Sequence, residues 1–264
     1  MLSMRLDKYL AESAAGTRKV VRDYVKDGKV TVNDQVILNP AEEIDEKADT
    51  VICLGRETIH TGKVYYMFHK PAGCVTARTD EDCRTVLDYF DPDHRAGIFP
   101  VGRLDKDTEG LLLLTNDGEF SHNLMHPDKH IEKTYFFWAF GRLNEDSKAK
   151  LLSGISLKSE EDLAIAYKLE VVEEGNYQDL RERIEPLIRR DIRMNSSRQA
   201  VVAGYLTISE GRKHQVKRML KEVGCYIAYL KRVSIGELYL DEALPKGQYR
   251  ELTKEEIELV RHLN

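Results

Sequence analysis

Residues 102–110 read Gly-Arg-Leu-Asp-Lys-Asp-Thr-Glu-Gly, which places three carboxylates, Asp105, Asp107 and Glu109, at alternate positions of one short segment. Three kinds of chemistry use such a pattern. An EF-hand loop opens D-x-D-x-[DN]-G and closes with a bidentate Glu at its twelfth position. Gly110 is in register with that loop, but the twelfth position is Asn116, and the leucines of 111–114 stand where ligands belong. A magnesium-dependent phosphatase of the D-x-D-x-[TV] type uses its first Asp to attack phosphorus. Its motif follows an unbroken apolar strand, whereas Asp105 follows Pro100-Val101-Gly102-Arg103-Leu104, and no acidic magnesium pair stands out downstream. The third chemistry is attack by Asp105 on a sugar or a base of RNA. A lone aspartate is more often a turn or cap residue, so the segment alone does not choose.

The elements that must hold this loop are legible. The leucine run 111–114 reads as a strand buried on both faces, which puts the carboxylates at the lip of a sheet. A strand over 64–68 is broken by His69-Lys70-Pro71-Ala72-Gly73. Residues 133–140 (KTYFFWAF) predict a second buried strand, with Tyr135 and Phe137 on one face and Phe136 and Trp138 on the other. Further strands are expected over 163–172 and 200–209, with helices over 119–125 and from Asn144 to 152. Residues 173–199, with the charged run 181–193, predict a helical insertion. In 212–223, Val216, Met219, Leu220 and Val223 make the inner stripe of a helix, and Lys213, Lys217 and Lys221 recur on another face. Thr253-x-x-Glu256 is a capping box for a last helix.

The first third of the chain is different in character. Leu6, Tyr9 and Leu10 fit a short helix; Thr17 can cap a second one that stops at Gly28. On that second helix Val20, Val21, Tyr24 and Val25 form an apolar stripe, while Arg18, Arg22 and Lys26 point another way. Val30 and Val32, a turn at Asn33-Asp34, then Val36 and Leu38 predict a hairpin. Residues 1–30 hold seven basic side chains against four acidic, and 31–62 only two against seven. Residues 55–63 (GRETIHTGK) have no apolar period and read as a linker.

Composition limits the partners. Of 264 residues 42% are apolar, enough for a real core, and the net charge is −5. No uniformly basic coat exists, so any nucleic-acid binding must use local patches. The densest is 209–232, with seven basic residues against two acidic. No apolar run approaches the ~20 residues of a membrane helix. The start, MLSMRLDKYL, carries too many charges for a secretory signal. Cys53, Cys74, Cys83 and Cys225 form no C-x-x-C pair. A cytoplasmic, reduced protein without metal is expected.

Arg5-Leu6-Asp7-Lys8, Thr17-Arg18, Gly28 and Val30-x-Val32-Asn33 together resemble the S4 RNA-binding module, with Thr17 where Ser is usual. The resemblance implies that Arg5, Lys8, Arg18, Lys19, Arg22 and Lys26 meet RNA phosphates, contacts that position without reading sequence.

The rest of the chain carries GRLDKDTEGLLLLTNDG, His69-Lys70-Pro71-x-Gly73, Glu132-Lys133-Thr134-Tyr135 and Glu210-Gly211-Arg212-Lys213-His214-Gln215-Val216-Lys217-Arg218-Met219. With the S4 module in front, this resembles the RsuA type of bacterial ribosomal RNA pseudouridine synthases over nearly the whole chain except 173–199. The implied fold is α+β: an S4 (αL) module over 1–55, a linker over 56–63, and over 64–264 a catalytic domain with a mixed, mostly antiparallel sheet flanked by helices. The implied nucleophile is Asp105, which breaks the C1′–N1 bond of a uridine so that the uracil can rejoin through C5. Tyr135 would stack on the uracil and assist proton removal. Lys217, where many relatives carry Arg, would pair with the nucleophile. Arg103 would help extrude the uridine. Lys70, Arg212, Lys213, His214, Gln215 and Arg218 would grip the phosphate backbone. No cofactor is implied. The partner would be ribosomal RNA, 16S from the EKTY and HQVKRM wording, or a subunit assembly intermediate, met by a monomer. The alternatives are a 23S enzyme of the same family and a non-catalytic S4 protein that rides on the ribosome.

Overall fold

A computed structural model describes residues 3–13, 15–58, 62–95, 97–157, 162–188 and 199–261. The N-terminal module packs helices Leu6–Glu12 and Arg18–Lys26 on a small four-stranded antiparallel sheet. Thr17 accepts a hydrogen bond from the Val20 amide, as an N-cap should. Asn33 and Asp34 both take positive φ, 49° and 65°, the paired left-handed conformation that turns a tight hairpin between Val30–Val32 and Gln35–Val36. Leu6, Leu10, Val21, Val25, Val30 and Ile44 fill the core, while Val20, expected in the apolar stripe, is exposed.

The expected linker begins too early. Arg56–Thr58 is a strand paired with Val51–Cys53, turned by Leu54 and Gly55. It carries no apolar alternation because it is an edge strand, held by its backbone ladder to Val51–Cys53 and by the Tyr9 hydroxyl, which donates to Thr58 O at 2.7 Å.

The second unit is built on one mixed sheet. Its strands run in the order Lys168–Asn176, Ala200–Ile208, Lys133–Phe140, Tyr226–Ile235, Glu109–Thr115, Tyr65–Lys70, Tyr249–Glu251. Only the pairing of Tyr226–Ile235 with Glu109–Thr115 is parallel along that order. The Glu109–Thr115 strand is buried throughout: Leu112 and Leu114 enter one core and Leu111 and Leu113 the other. The Lys133–Phe140 strand alternates as its sequence requires, Tyr135 and Phe137 toward the first core and Phe136 and Trp138 toward a third.

Three element boundaries differ from expectation. The strand expected over 163–172 starts at Lys168 and runs on to Asn176. In the stretch before it Leu163, Ile165 and Tyr167 face outward and the small Ala164 and Ala166 are buried, so the apolar pattern there belonged to the surface. The expected insertion therefore opens as strand, and its helix is Tyr177–Ile184; residues 189–198 lie outside the described residues. The helix expected over 212–223 is Gln215–Glu222, because His214 takes φ 53°, a left-handed conformation that cannot continue a right-handed helix. The capping box is formed: the Thr253 amide donates to Glu256 Oε2 and the Glu256 amide to Thr253 Oγ1.

Candidate active site

The acidic loop leaves the strand Phe99–Val101 and re-enters the sheet at Glu109. Gly110 makes that re-entry possible. It sits at φ +105°, and a Cβ there would lie 2.2 Å from the Arg232 carbonyl oxygen. The loop is then fastened from outside by the His69-to-Gly73 segment. Lys70, wholly buried, donates its ammonium to the carbonyls of Asp105 (3.0 Å), Thr108 (2.9 Å) and Pro71 (3.1 Å). The Gly73 amide donates to Lys106 O at 2.7 Å, and Thr76 Oγ1 donates to Leu104 O at 2.7 Å. Burial drives the Lys70 pKa downward; nearby Cys74, Asp107, Glu109 and Asp105 oppose it. Lys70 thus shapes the loop from behind and cannot reach an RNA phosphate, contrary to the expectation placed on it.

Asp105 faces a cavity of about 70 Å³ lined also by Arg103, Leu104, Thr108, Tyr135, Ile208, Leu230 and the start of the Gln215–Glu222 helix. Lys217 Nζ lies 2.9 Å from Asp105 Oδ2 and 2.5 Å from Asp107 Oδ1; His214 Nε2 lies 3.5 Å from Asp105 Oδ1. Tyr135, only 8% exposed, stands on the sheet beneath them. Asp105, Tyr135, Lys217 and Arg103, expected as one site from separate motifs, converge on one cavity. Arg103 and Asp105 both sit on irregular loop and both line it. Larger cavities exist, one of about 600 Å³ between Lys8 and Phe99 and one of about 280 Å³ that holds a Lys63–Asp117 pair at 2.7 Å beside Phe120, but Asp117 there is engaged as the N-cap of the Gly118–Met125 helix.

A profile of the S4 domain family matches residues 4–51, and one described as RNA pseudouridylate synthase matches residues 64–222. The chain belongs to the RNA pseudouridylate synthase family. Over 97% of its length it is 41% identical to an uncharacterized RNA pseudouridine synthase, YtzG, of Bacillus subtilis, covering 98% of that protein. It is 35% identical, over 96% of its length and 98% of the relative's, to the ribosomal small subunit pseudouridine synthase A of Escherichia coli. A crystal structure of a pseudouridylate synthase, 33% identical, superposes with a TM-score of 0.63 over 97% of this chain and 99% of that one.

Within the synthase domain, two more of the expected RNA contacts are spent on structure. Gln215 is 3% exposed; its side chain donates to Glu210 Oε1 at 2.6 Å and accepts from the Arg212 amide at 3.0 Å. Arg212 donates to Glu210, Asp162 O and Leu163 O, which pins the turn before the helix. Lys213 and His214 are exposed, and Arg218 is half-buried, so these remain on the surface side.

The S4 module holds a similar surprise. Arg5, Arg18 and Arg22 converge on Asp7, which has no exposed surface, at 3.1, 3.3 and 2.7 Å. Burial alone would raise the Asp7 pKa, but the hydrogen bonds from Arg5, Arg22 and Arg18 outweigh it and hold the carboxyl below its ordinary range. These three arginines are therefore locked around one buried anion, with roughly half of each side chain still facing water. Lys19 and Lys26 are exposed and Lys8 is half-buried, 3.9 Å from Glu12.

Sequence reasoning missed two residues. Thr108 lines the cavity with a buried hydroxyl that lacks a hydrogen-bond partner among the described residues. Asp107, to which the sequence assigned no role of its own, shares Lys217 with Asp105. Neither has a signal in a single sequence beyond lying next to Asp105.

Proposed function

We propose that this synthase isomerises uridine to pseudouridine in small-subunit ribosomal RNA, with Asp105 as nucleophile. The observation that carries the reading is the Asp105–Lys217 pair, 2.9 Å apart at the mouth of a cavity floored by Tyr135. Opposite unit charges ~4 Å apart interact by roughly 4 kcal/mol at an effective dielectric near 20. The ammonium thus holds the carboxylate in place at the cavity mouth as a base enters.

Asp105 attacks C1′ of the target ribose, the C1′–N1 bond breaks, and the uracil leaves with the bonding pair on N1. The ring turns, C5 attacks C1′, and Asp105 is released as carboxylate. Loss of the proton from C5 and gain of one at N1 complete pseudouridine. No electrons are exchanged with another molecule, so the residues at the site suffice. Tyr135 stacks against the ring while it turns, and Arg103 occupies the place of the extruded nucleotide, offsetting the few kcal/mol that extrusion costs. A cavity of about 70 Å³ is smaller than a base requires, well below the ~300 Å³ at the low end of ligand pockets. The loop and the Gln215–Glu222 helix must therefore part around the Lys217–Asp107 contact when a uridine enters.

The choice of small-subunit RNA, free or within an assembly intermediate, draws on the names of the relatives and on the EKTY and HQVKRM wording. Chemical mapping of pseudouridine in both ribosomal RNAs from cells lacking this gene tests it. One lost position in 16S RNA is expected; a loss confined to 23S RNA would replace the substrate while keeping the chemistry.

A further inference from the structure

We propose that His214 is the base that takes the proton from C5 of the rejoined uracil and hands it to water, a role that rests on reading Asp105 as nucleophile. Four observations converge on it.

The first is position. Lys217 holds Asp105 Oδ2 at 2.9 Å, which leaves Oδ1 as the oxygen free to meet C1′, and it is Oδ1 that His214 Nε2 flanks at 3.5 Å. Whatever carbon is bonded to C1′ must pass beside that nitrogen.

The second is backbone strain. His214 sits at φ 53°, ψ 30°, a region that costs a side-chain-bearing residue about 1–3 kcal/mol and that persists only where its surroundings enforce it. They do so here. The Gln215 amide donates to Arg212 O, the Arg212 amide to Gln215 Oε1, and the Arg218 amide to His214 O. The network fixes the His214 backbone at the rim of the cavity before substrate arrives.

The third is access. The His214 side chain is 48% exposed, while Tyr135 is 8% exposed on the cavity floor. An imidazole at the rim can exchange a proton with solvent, which a phenol sealed beneath a stacked base cannot.

The fourth is the surrounding charge. From the loop, Asp105 and Asp107 face this corner; from the helix comes Lys217, with Lys213, Arg212 and Arg218 around the turn and Arg103 across the cavity. The carboxylate in contact with the imidazole is that of Asp105, at 3.5 Å.

The step balances. Attack of C5 on C1′ leaves C5 bearing hydrogen and C1′, with N1 and C6 joined by a double bond. The His214 lone pair takes the C5 proton, the C5–H electrons restore the C5–C6 double bond, and N1 takes a proton from water. Imidazolium then loses its proton to solvent.

RNA labelled with tritium at C5 of uridine reports the step directly. His214→Asn and His214→Gly both tolerate the left-handed backbone and keep the fold. Both are expected to release tritium about 10²-fold more slowly, to show a larger deuterium isotope effect at C5 than the wild type, and, for the glycine variant, to recover rate in buffered imidazole. Release at the wild-type rate, or slowed release with an unchanged isotope effect, overturns the assignment. If the wild type itself releases no tritium from any ribosomal RNA, the proposed function fails first, and the two failures are told apart.

Discussion

One ammonium, that of Lys217, serves two carboxylates, Asp105 at 2.9 Å and Asp107 at 2.5 Å. A guanidinium could bridge both with separate N–H groups; an ammonium does so as a point charge. Lys217→Met should therefore lower kcat by roughly 10²-fold, as loss of one preorganised electrostatic partner does, with RNA affinity changed only a few-fold. Lys217→Arg should keep most of the activity. Single-turnover kinetics separate the two effects, and a methionine variant with wild-type kcat would remove Lys217 from the site.

Lys70 predicts a different signature. Its ammonium is the shared partner of backbone carbonyls from Asp105, Thr108 and Pro71. Lys70→Met leaves those buried oxygens without a donor, at about 1–3 kcal/mol each for a group left unsatisfied. Thermal melting should fall markedly and activity with it, while the salt dependence of RNA binding stays as in the wild type. A flatter salt dependence would return Lys70 to the phosphate contacts.

Much of the site was legible because its chemistry is carried by local patterns: the loop before four leucines, the tyrosine on an alternating strand, the lysine in the first turn of a helix. Lys70, Arg212 and Gln215 were misjudged for one physical reason. A basic or amide side chain next to a glycine turn has the same sequence appearance whether it faces solvent or satisfies buried backbone. Boundaries slipped where the backbone departs from its period, at left-handed His214 and where Leu163, Ile165 and Tyr167 display an apolar stripe outward. The Arg56–Thr58 strand is defined by hydrogen bonds to its backbone, which leave no mark in its side-chain pattern.

Asp7 gives the S4 module an acid limit. Its carboxyl is held below the ordinary range in the folded state, so its contribution is complete above the unfolded value of ~3.9 and is lost as pH falls through the lower folded value. Asp7→Asn should cost about 2 kcal/mol near neutral pH, and the cost should shrink on acidification below pH ~4. Chemical denaturation across pH reads this out. A cost that is constant with pH would mean that packing, and not charge, explains Asp7.

Lys133 acts in the opposite sense. It is buried, donates to Ile131 O at 2.7 Å, and burial followed by the charge of Arg232 pushes its pKa down to about 8. Between that value and the unfolded ~10.4 the unfolded chain binds more protons, so stability rises with pH in this window. Relative to Lys133→Met, the wild type should gain about 3 kcal/mol between neutral pH and pH ~10. Denaturation midpoints of both proteins across that range check it; a difference that does not move with pH would place the ammonium in water.

The central claim is that the Asp105 carboxylate performs the reaction, and the most direct measurement is pseudouridine formation on small-subunit ribosomal RNA by Asp105→Asn beside the wild type, with RNA affinity measured on the same preparations. The account predicts that the variant forms no pseudouridine and binds RNA within several-fold of the wild type. Turnover by the variant at the wild-type rate would contradict it.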